Sequence, residues 1–191
     1  MPECLDAVRQ ILAAARFAAE RHAAQRRKGR TAEPYVNHLL EVAELLARTA
    51  DQLDTNLIVA ALLHDTIEDT GVTRAELAER FGEDVASLVA EVSDDKLLPK
   101  EMRKALQVEN APHKSARAQA LGTADKTANV RSIATSPPAN WSFERRVEYV
   151  RWARQVVGRY TQVSERLAEE FQQVSVELQE WEKSGGTKDF F

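Results

Sequence analysis

The chain has 191 residues, of which 43% are hydrophobic and 29% charged, and a net charge of −4. That is enough for one well-packed domain, and the acidic balance argues against a nucleic-acid partner. Cys4 is the only cysteine, which excludes an intrachain disulfide, and no apolar run is long enough for a bilayer. Because Met1-Pro2-Glu3 opens without a basic-then-apolar signal, a cytoplasmic location without membrane partners is expected.

In chain order, Leu5, Val8, Ile11, Leu12, Ala15 and Ala19 form an apolar stripe on a first helix. That helix leads into the basic run Gln25-Arg26-Arg27-Lys28-Gly29-Arg30, read as a helix end, and then a loop to Pro34. A second helix is expected from about Asn37 to Ala50, with Leu40, Ala43 and Leu46 on one side. Asp54 can cap a third helix that runs through Leu57–Leu63 and ends in His64-Asp65-Thr66-Ile67-Glu68-Asp69 before Gly71. Thr73-Arg74-Ala75-Glu76 has the capping-box pattern of a short helix ending at Gly82. Val85, Leu88, Val89 and Val92 mark the next helix. Pro99 can open another, which Pro112 interrupts. A helix follows from Ala120 to Ile133, then the rigid loop Ser136-Pro137-Pro138-Ala139. A last long helix from near Ser142 carries Val147, Val150, Val156, Val157, Tyr160, Val163 and Leu167, with a flexible tail after about residue 183. No period-two strand and no repeat interrupts this pattern. The expected fold is therefore one all-α helical bundle over residues 1–191.

The segment His64-Asp65 with Glu68-Asp69 carries the most chemistry. Three carboxylates closing a wholly apolar run repel one another unless a cation lies among them. On a continuous helix, His64 would stack near Glu68, and Asp65 near Glu68 and Asp69. Of the other histidines, His38 follows Glu33-Pro34-Tyr35-Val36-Asn37, while His22 and His113 read as structural or surface residues. Asp125, with Asn129 one turn on, could complete a mixed nitrogen and oxygen set of His38, His64, Asp65 and Asp125. Such a set suits manganese, iron, cobalt or zinc better than calcium or magnesium.

A separated His, then His-Asp, then a distant Asp resembles the signature of HD-domain metal-dependent phosphohydrolases. Glu33-Pro34-Tyr35-Val36-Asn37-His38 and His64-Asp65-Thr66-Ile67-Glu68-Asp69 look like the hydrolase domain of the RelA/SpoT homologues. Several further segments are similar to the stand-alone small alarmone hydrolases, including the metazoan SpoT-like type. These are Glu91-Val92-Ser93-Asp94-Asp95-Lys96, Leu98-Pro99-Lys100, Leu106-Gln107-Val108-Glu109, Ala111-Pro112-His113, Trp141-Ser142 and Glu148-Tyr149. The resemblance implies one manganese ion per chain, held by His38, His64, Asp65 and Asp125. It implies that Glu68 and Asp69 position and deprotonate the attacking water, and that Arg27, Lys28, Asn129, Arg145 and Tyr149 hold the nucleotide. The implied reaction removes the 3′-pyrophosphate of ppGpp or pppGpp, without synthesis, with adenosine alarmones as further substrates. Removal of the NADPH 2′-phosphate, another HD-type nucleotide phosphohydrolase activity and a nucleotide-sensing binding module are the competing readings. The chain departs from the family pattern at Leu39, where proline is usual. It departs again in Leu121-Gly122-Thr123-Ala124 before Asp125, where a lysine and a leucine are common, and at Ala128 and Val130, which replace bulkier residues.

Overall fold

The computed structural model describes residues 2–183, with side chains described from residue 4 to 176. The described residues form helices joined by short turns, with only isolated bridge pairs and no strand. In chain order they are α1 (Pro2–Arg21), α2 (Val36–Thr49), α3 (Thr55–Leu63), α4 (Thr66–Thr70), α5 (Arg74–Phe81), α6 (Glu83–Val92), α7 (Lys100–Asn110), a 3₁₀ turn (Ala111–His113), α8 (Ala116–Thr135), α9 (Phe143–Val157) and α10 (Glu165–Lys183). The tail expected after residue 183 lies outside the described residues.

The stops and starts follow local chemistry. Asp54 accepts from the Leu57 amide at 3.0 Å and Thr73 from the Glu76 amide at 3.1 Å, so both expected caps form. Ser115 and Ser142 cap α8 and α9 in the same way. Gly71 and Gly82, at φ 73° and 89°, stop α4 and α5 where an L side chain would be strained.

The central α3 is apolar around its whole circumference and is buried by α1, α2 and α6. α8 lies against α2, α9 and α10, and a second apolar cluster of Val130, Val150, Ala153, Phe171 and Val174 fills the space between α8, α9 and α10. These contacts place the C-terminal end of α3 beside the start of α2 and the middle of α8.

Four expectations are corrected. On α1 the buried face is Ala14, Phe17 and Ala18, whereas Leu5, Val8 and Leu12 are exposed. The face that packs on α3 starts near Ile11, so the stripe assigned from spacing was drawn about a third of a turn away. On α2, Ala43 and Leu46 are buried as expected, together with Leu39, Val42 and Leu45, but Leu40 is exposed. The basic run Gln25–Arg30 is not on a helix. It is an irregular loop tied down by Tyr35 N to Gln25 O at 3.1 Å and Arg27 N to Glu33 O at 2.9 Å. The last helix is two helices, broken over residues 158–164 after Gly158. The apolar period continued across the break and concealed it.

Candidate metal centre and cleft

The chain does not pass through His64-Asp65 as a continuous helix. α3 ends at Leu63, His64 and Asp65 form the turn, and α4 starts at Thr66. This break is the main correction at the site: the continuous helix expected through residues 64–69 is interrupted at His64-Asp65, although the Asp69 amide still donates to Asp65 O at 2.9 Å one turn on. Thr66 Oγ1 donates to Leu63 O at 2.6 Å, and His64 Nδ1 lies 2.8 Å from Ala61 O. The backbone carbonyls at the end of α3 thereby orient both side chains.

Four predicted ligands converge across this turn. His38 Nε2, from the first turn of α2, lies 3.2 Å from Asp125 Oδ1 of α8 and 3.9 Å from Asp65 Oδ2. His64 Nε2 lies 3.1 Å from Asp65 Oδ2 and 3.8 Å from Asp125 Oδ1. Both histidines are buried. Donation by His64 Nδ1 to Ala61 O leaves Nε2 with its lone pair in the neutral ring, and Nε2 is buried without a hydrogen-bond partner. A lone pair aimed at carboxylate oxygens is repulsive unless a positive charge lies between them. The ordinary pKa values move accordingly. Burial lowers His38. Burial also disfavours charge on His64, but the adjacent Asp65 and Asp125 carboxylates overcome it and raise His64 well above the usual imidazole value. Burial opposes ionisation of Asp65, yet His64 and His38 hold it below the carboxylate range. Asp125 is lowered in the same way against its burial, chiefly by Lys126 and then by His38 and His64. His38, His64 and Asp65 offer ligand atoms within 4.8 Å of one another, and Asp125 Oδ1 lies beside both imidazoles. They fit a divalent metal.

Other residues position this set. The Tyr35 hydroxyl donates to Asp65 Oδ2 at 2.6 Å, and burial, with Asp65 next, raises the phenol far above its usual value. Asn129 Nδ2 donates to Asp125 Oδ1 at 2.6 Å, and Lys126 Nζ to Asp125 Oδ2 at 2.9 Å. The roles of Tyr35 and Lys126 were not found from sequence, although both flank predicted residues. His22 is buried, with its ring stacked on Tyr35 and Nδ1 2.5 Å from Gln25 Oε1, as expected of a structural histidine. His113 is exposed.

Glu68 and Asp69 sit beside the cluster on α4. Glu68 Oε1 accepts from the Asp94 amide at 2.7 Å, while Lys96 Nζ reaches Glu68 at 3.2 Å and Asp69 at 2.9 Å. Gln25 Nε2 donates to the other Asp69 oxygen at 2.9 Å. Burial raises the Glu68 carboxyl above its ordinary pKa, which favours proton uptake. Gln25, Asp94 and Lys96 come from distant loops, and nothing in their local spacing revealed them.

All of this opens into a cleft of about 860 Å³. Its lining includes Arg27, Lys28, Asp65, Glu68, Asp69, Asp125, Asn129, Arg145 and Tyr149, so the predicted nucleotide-holding residues all border one space. Arg27 Nη1 donates to Asn129 Oδ1 at 3.1 Å, Lys28 is exposed, and the Arg145 guanidinium lies 4.6 Å over the Trp141 ring. Tyr149 packs on the second apolar cluster and against both Trp141 and Trp152, and borders the cleft. A Cβ at Gly29 would lie 2.5 Å from Ser136 O, so this glycine lets the basic loop approach the α8–α9 loop.

Comparison with known proteins agrees with this geometry. The HD domain family model matches residues 14–174. A Xenopus tropicalis protein named guanosine-3′,5′-bis(diphosphate) 3′-pyrophosphohydrolase MESH1 is 50% identical over 147 residues, covering 77% of this chain and 82% of its own length. The Homo sapiens protein of the same name is 47% identical over 168 residues, covering 86% and 94%. A solved structure described as a metazoan ortholog of SpoT that hydrolyses ppGpp superimposes with a TM-score of 0.85 at 38% identity, covering 88% of this chain and 95% of that one. With the family model spanning most of the chain and these relatives spanning most of their own lengths, the chain belongs to the HD-domain hydrolases, in the group of the MESH1 and SpoT-like proteins.

Proposed function

We propose that this chain hydrolyses the 3′-pyrophosphate of guanosine alarmones, converting ppGpp or pppGpp into GDP or GTP and pyrophosphate, with one manganese ion per chain. The observation that carries the reading is the convergence of His38, His64, Asp65 and Asp125 at a cleft that the last three line beside a paired carboxylate and several cations. The names of the relatives support the substrate.

His38, His64, Asp65 and Asp125 would hold a divalent cation, which would supply acidification of water and neutralisation of phosphoryl charge. Glu68, raised by burial, takes a proton from the attacking water, and Asp69 orients that water while Lys96 balances the two carboxylates. The water oxygen bonds to the phosphorus attached to the ribose 3′ oxygen. That P–O bond breaks, the ribose oxygen takes up a proton, and pyrophosphate departs. Arg27, held by Asn129, together with Lys28 and Arg145, stabilises the negative oxygens. Tyr149 offers an aromatic face to the nucleoside. Adenosine alarmones share the groups this site reads and are proposed as further substrates.

The test is turnover of ppGpp, pppGpp, their adenosine counterparts and NADPH with manganese, with products separated by chromatography. Release of pyrophosphate and GDP from ppGpp is expected. Phosphate release from NADPH with no alarmone turnover would replace this reading with the 2′-phosphatase one, and binding without any turnover would favour a sensing module.

A further inference from the structure

The residue that stands where the family resemblance fails has a defined place in the cleft. Gly122 is interior to α8, one turn before Asp125, where glycine costs about 1 kcal/mol of helix stability relative to alanine. A Cβ at this position would come to 2.4 Å from the Tyr160 hydroxyl oxygen and 3.2 Å from the ring carbon that bears it. The missing side chain therefore makes a notch that the end of the phenol occupies.

Tyr160 belongs to the segment that breaks α9 from α10, and that segment is clamped. Gln119, fully buried on α8, accepts from the Thr161 and Gln162 amides at 2.8 and 2.9 Å through Oε1. Its own amide nitrogen donates to Lys114 O at 2.8 Å. The clamp lies one turn before Gly122 on the same helix, so it holds the Tyr160 backbone against the notch. Among the described residues the Tyr160 hydroxyl makes no hydrogen bond, yet Tyr160 and Gly122 both line the cleft, as do Lys114 and Lys126. A free donor in a cleft that also presents lysines suits an anionic oxygen.

Position along α8 indicates which oxygen. Asn129, with Arg27, stands one turn beyond Asp125, and Gly122, with Tyr160, one turn before it. With the 5′ phosphates of the nucleotide held on the Arg27 side and the attacked phosphorus at the four-residue cluster, the outer phosphate of the 3′-pyrophosphate projects toward Tyr160. The geometry points to Tyr160 as a specificity-determining residue that donates a hydrogen bond to the outer phosphate of the pyrophosphate group, so that a diphosphate is favoured over a monophosphate. This inference deepens the proposed alarmone reaction and rests on it for the direction in which the nucleotide lies.

The experiment measures calorimetric binding of inorganic pyrophosphate and of orthophosphate to the manganese-loaded protein, beside ppGpp turnover. Tyr160→Phe should weaken pyrophosphate binding about ten- to hundredfold, as expected for one hydrogen bond to a charged oxygen, and leave orthophosphate unchanged. Gly122→Ala should reproduce that loss by displacing the phenol. Adding it to Tyr160→Phe should cause little further loss, which distinguishes a lost contact from a damaged helix. Unchanged pyrophosphate binding in Tyr160→Phe, an equal loss for both anions, or a wild type that does not bind pyrophosphate would each overturn the assignment. A wild type that binds pyrophosphate with the expected Tyr160 dependence but does not hydrolyse ppGpp would overturn the proposed reaction and support the contact.

Discussion

At the scale of single residues, the two carboxylates on α4 have different surroundings. Glu68 is the more buried and takes a backbone amide, while Asp69 is shared between Gln25 and Lys96. Glu68→Gln keeps the shape and that amide contact, so manganese content should be retained while kcat falls by about 100-fold or more, the range for loss of a general base. An undiminished kcat would remove Glu68 from proton transfer. In the basic loop, Arg27 is anchored by Asn129 whereas Lys28 is exposed and unanchored. Arg27→Ala should therefore lower kcat/KM for alarmones more than Lys28→Ala, by about 1.5–3 kcal/mol in transition-state binding, with the circular dichroism spectrum unchanged. Equal small effects would mean that the phosphates are held elsewhere, with Arg145 and Lys100 next to test.

At the scale of elements, α10 is tied to α2 and α8 by charge as well as by apolar packing. Glu170 accepts from Arg48 at 2.5 Å and from Arg131 at 3.2 Å, and Arg131 also reaches Glu41 at 2.7 Å. The Arg48 hydrogen bond holds the Glu170 carboxyl below its ordinary pKa. A carboxylate lowered in the fold adds stability above its unfolded pKa and loses it as pH falls through the folded value. These groups are partly exposed, so solvent screening limits the contribution to about 1 kcal/mol or less. Glu170→Gln should lower the denaturation midpoint at neutral pH, and the difference from wild type should vanish in acid. A difference that persists in acid would assign the effect to packing of α10.

At the scale of the whole molecule, the candidate metal centre joins three parts of the fold: α2 through His38, the α3–α4 turn through His64 and Asp65, and α8 through Asp125. A cation that binds all four in the native state and none in the unfolded chain stabilises the assembly by mass action. Manganese should raise the melting temperature, and chelation should reverse the shift. His64→Ala and Asp65→Ala should lose bound metal, the thermal shift and activity together while keeping helical content. Near-wild-type metal in either purified variant would sink the ligand assignment.

Much of this could be read from the sequence because it is local. Caps at Asp54, Thr73 and Pro99 and the stops at Gly71 and Gly82 depend on chemistry within one turn of the chain, and each was found at its residue. The helical class was also legible, and His38, His64, Asp65 and Asp125, singled out because few residue types can ligate a metal, do lie together in space. What the sequence did not determine depends on contacts between distant segments. Which face of α1 and α2 is buried depends on where α3 lies, and apolar spacing tolerates a rotation of part of a turn. The break at His64-Asp65 lies between an apolar helix and an acidic one, where no proline or glycine marks it. It exists because both side chains turn toward α2 and α8. The split between α9 and α10 was hidden by continuing apolar periodicity and is held by Gln119 from another helix. Tyr35 on Asp65, Lys96 between Glu68 and Asp69, and Tyr160 in the Gly122 notch are pairings over long sequence separations. Their partners are selected by three-dimensional packing, and no local spacing encodes that selection.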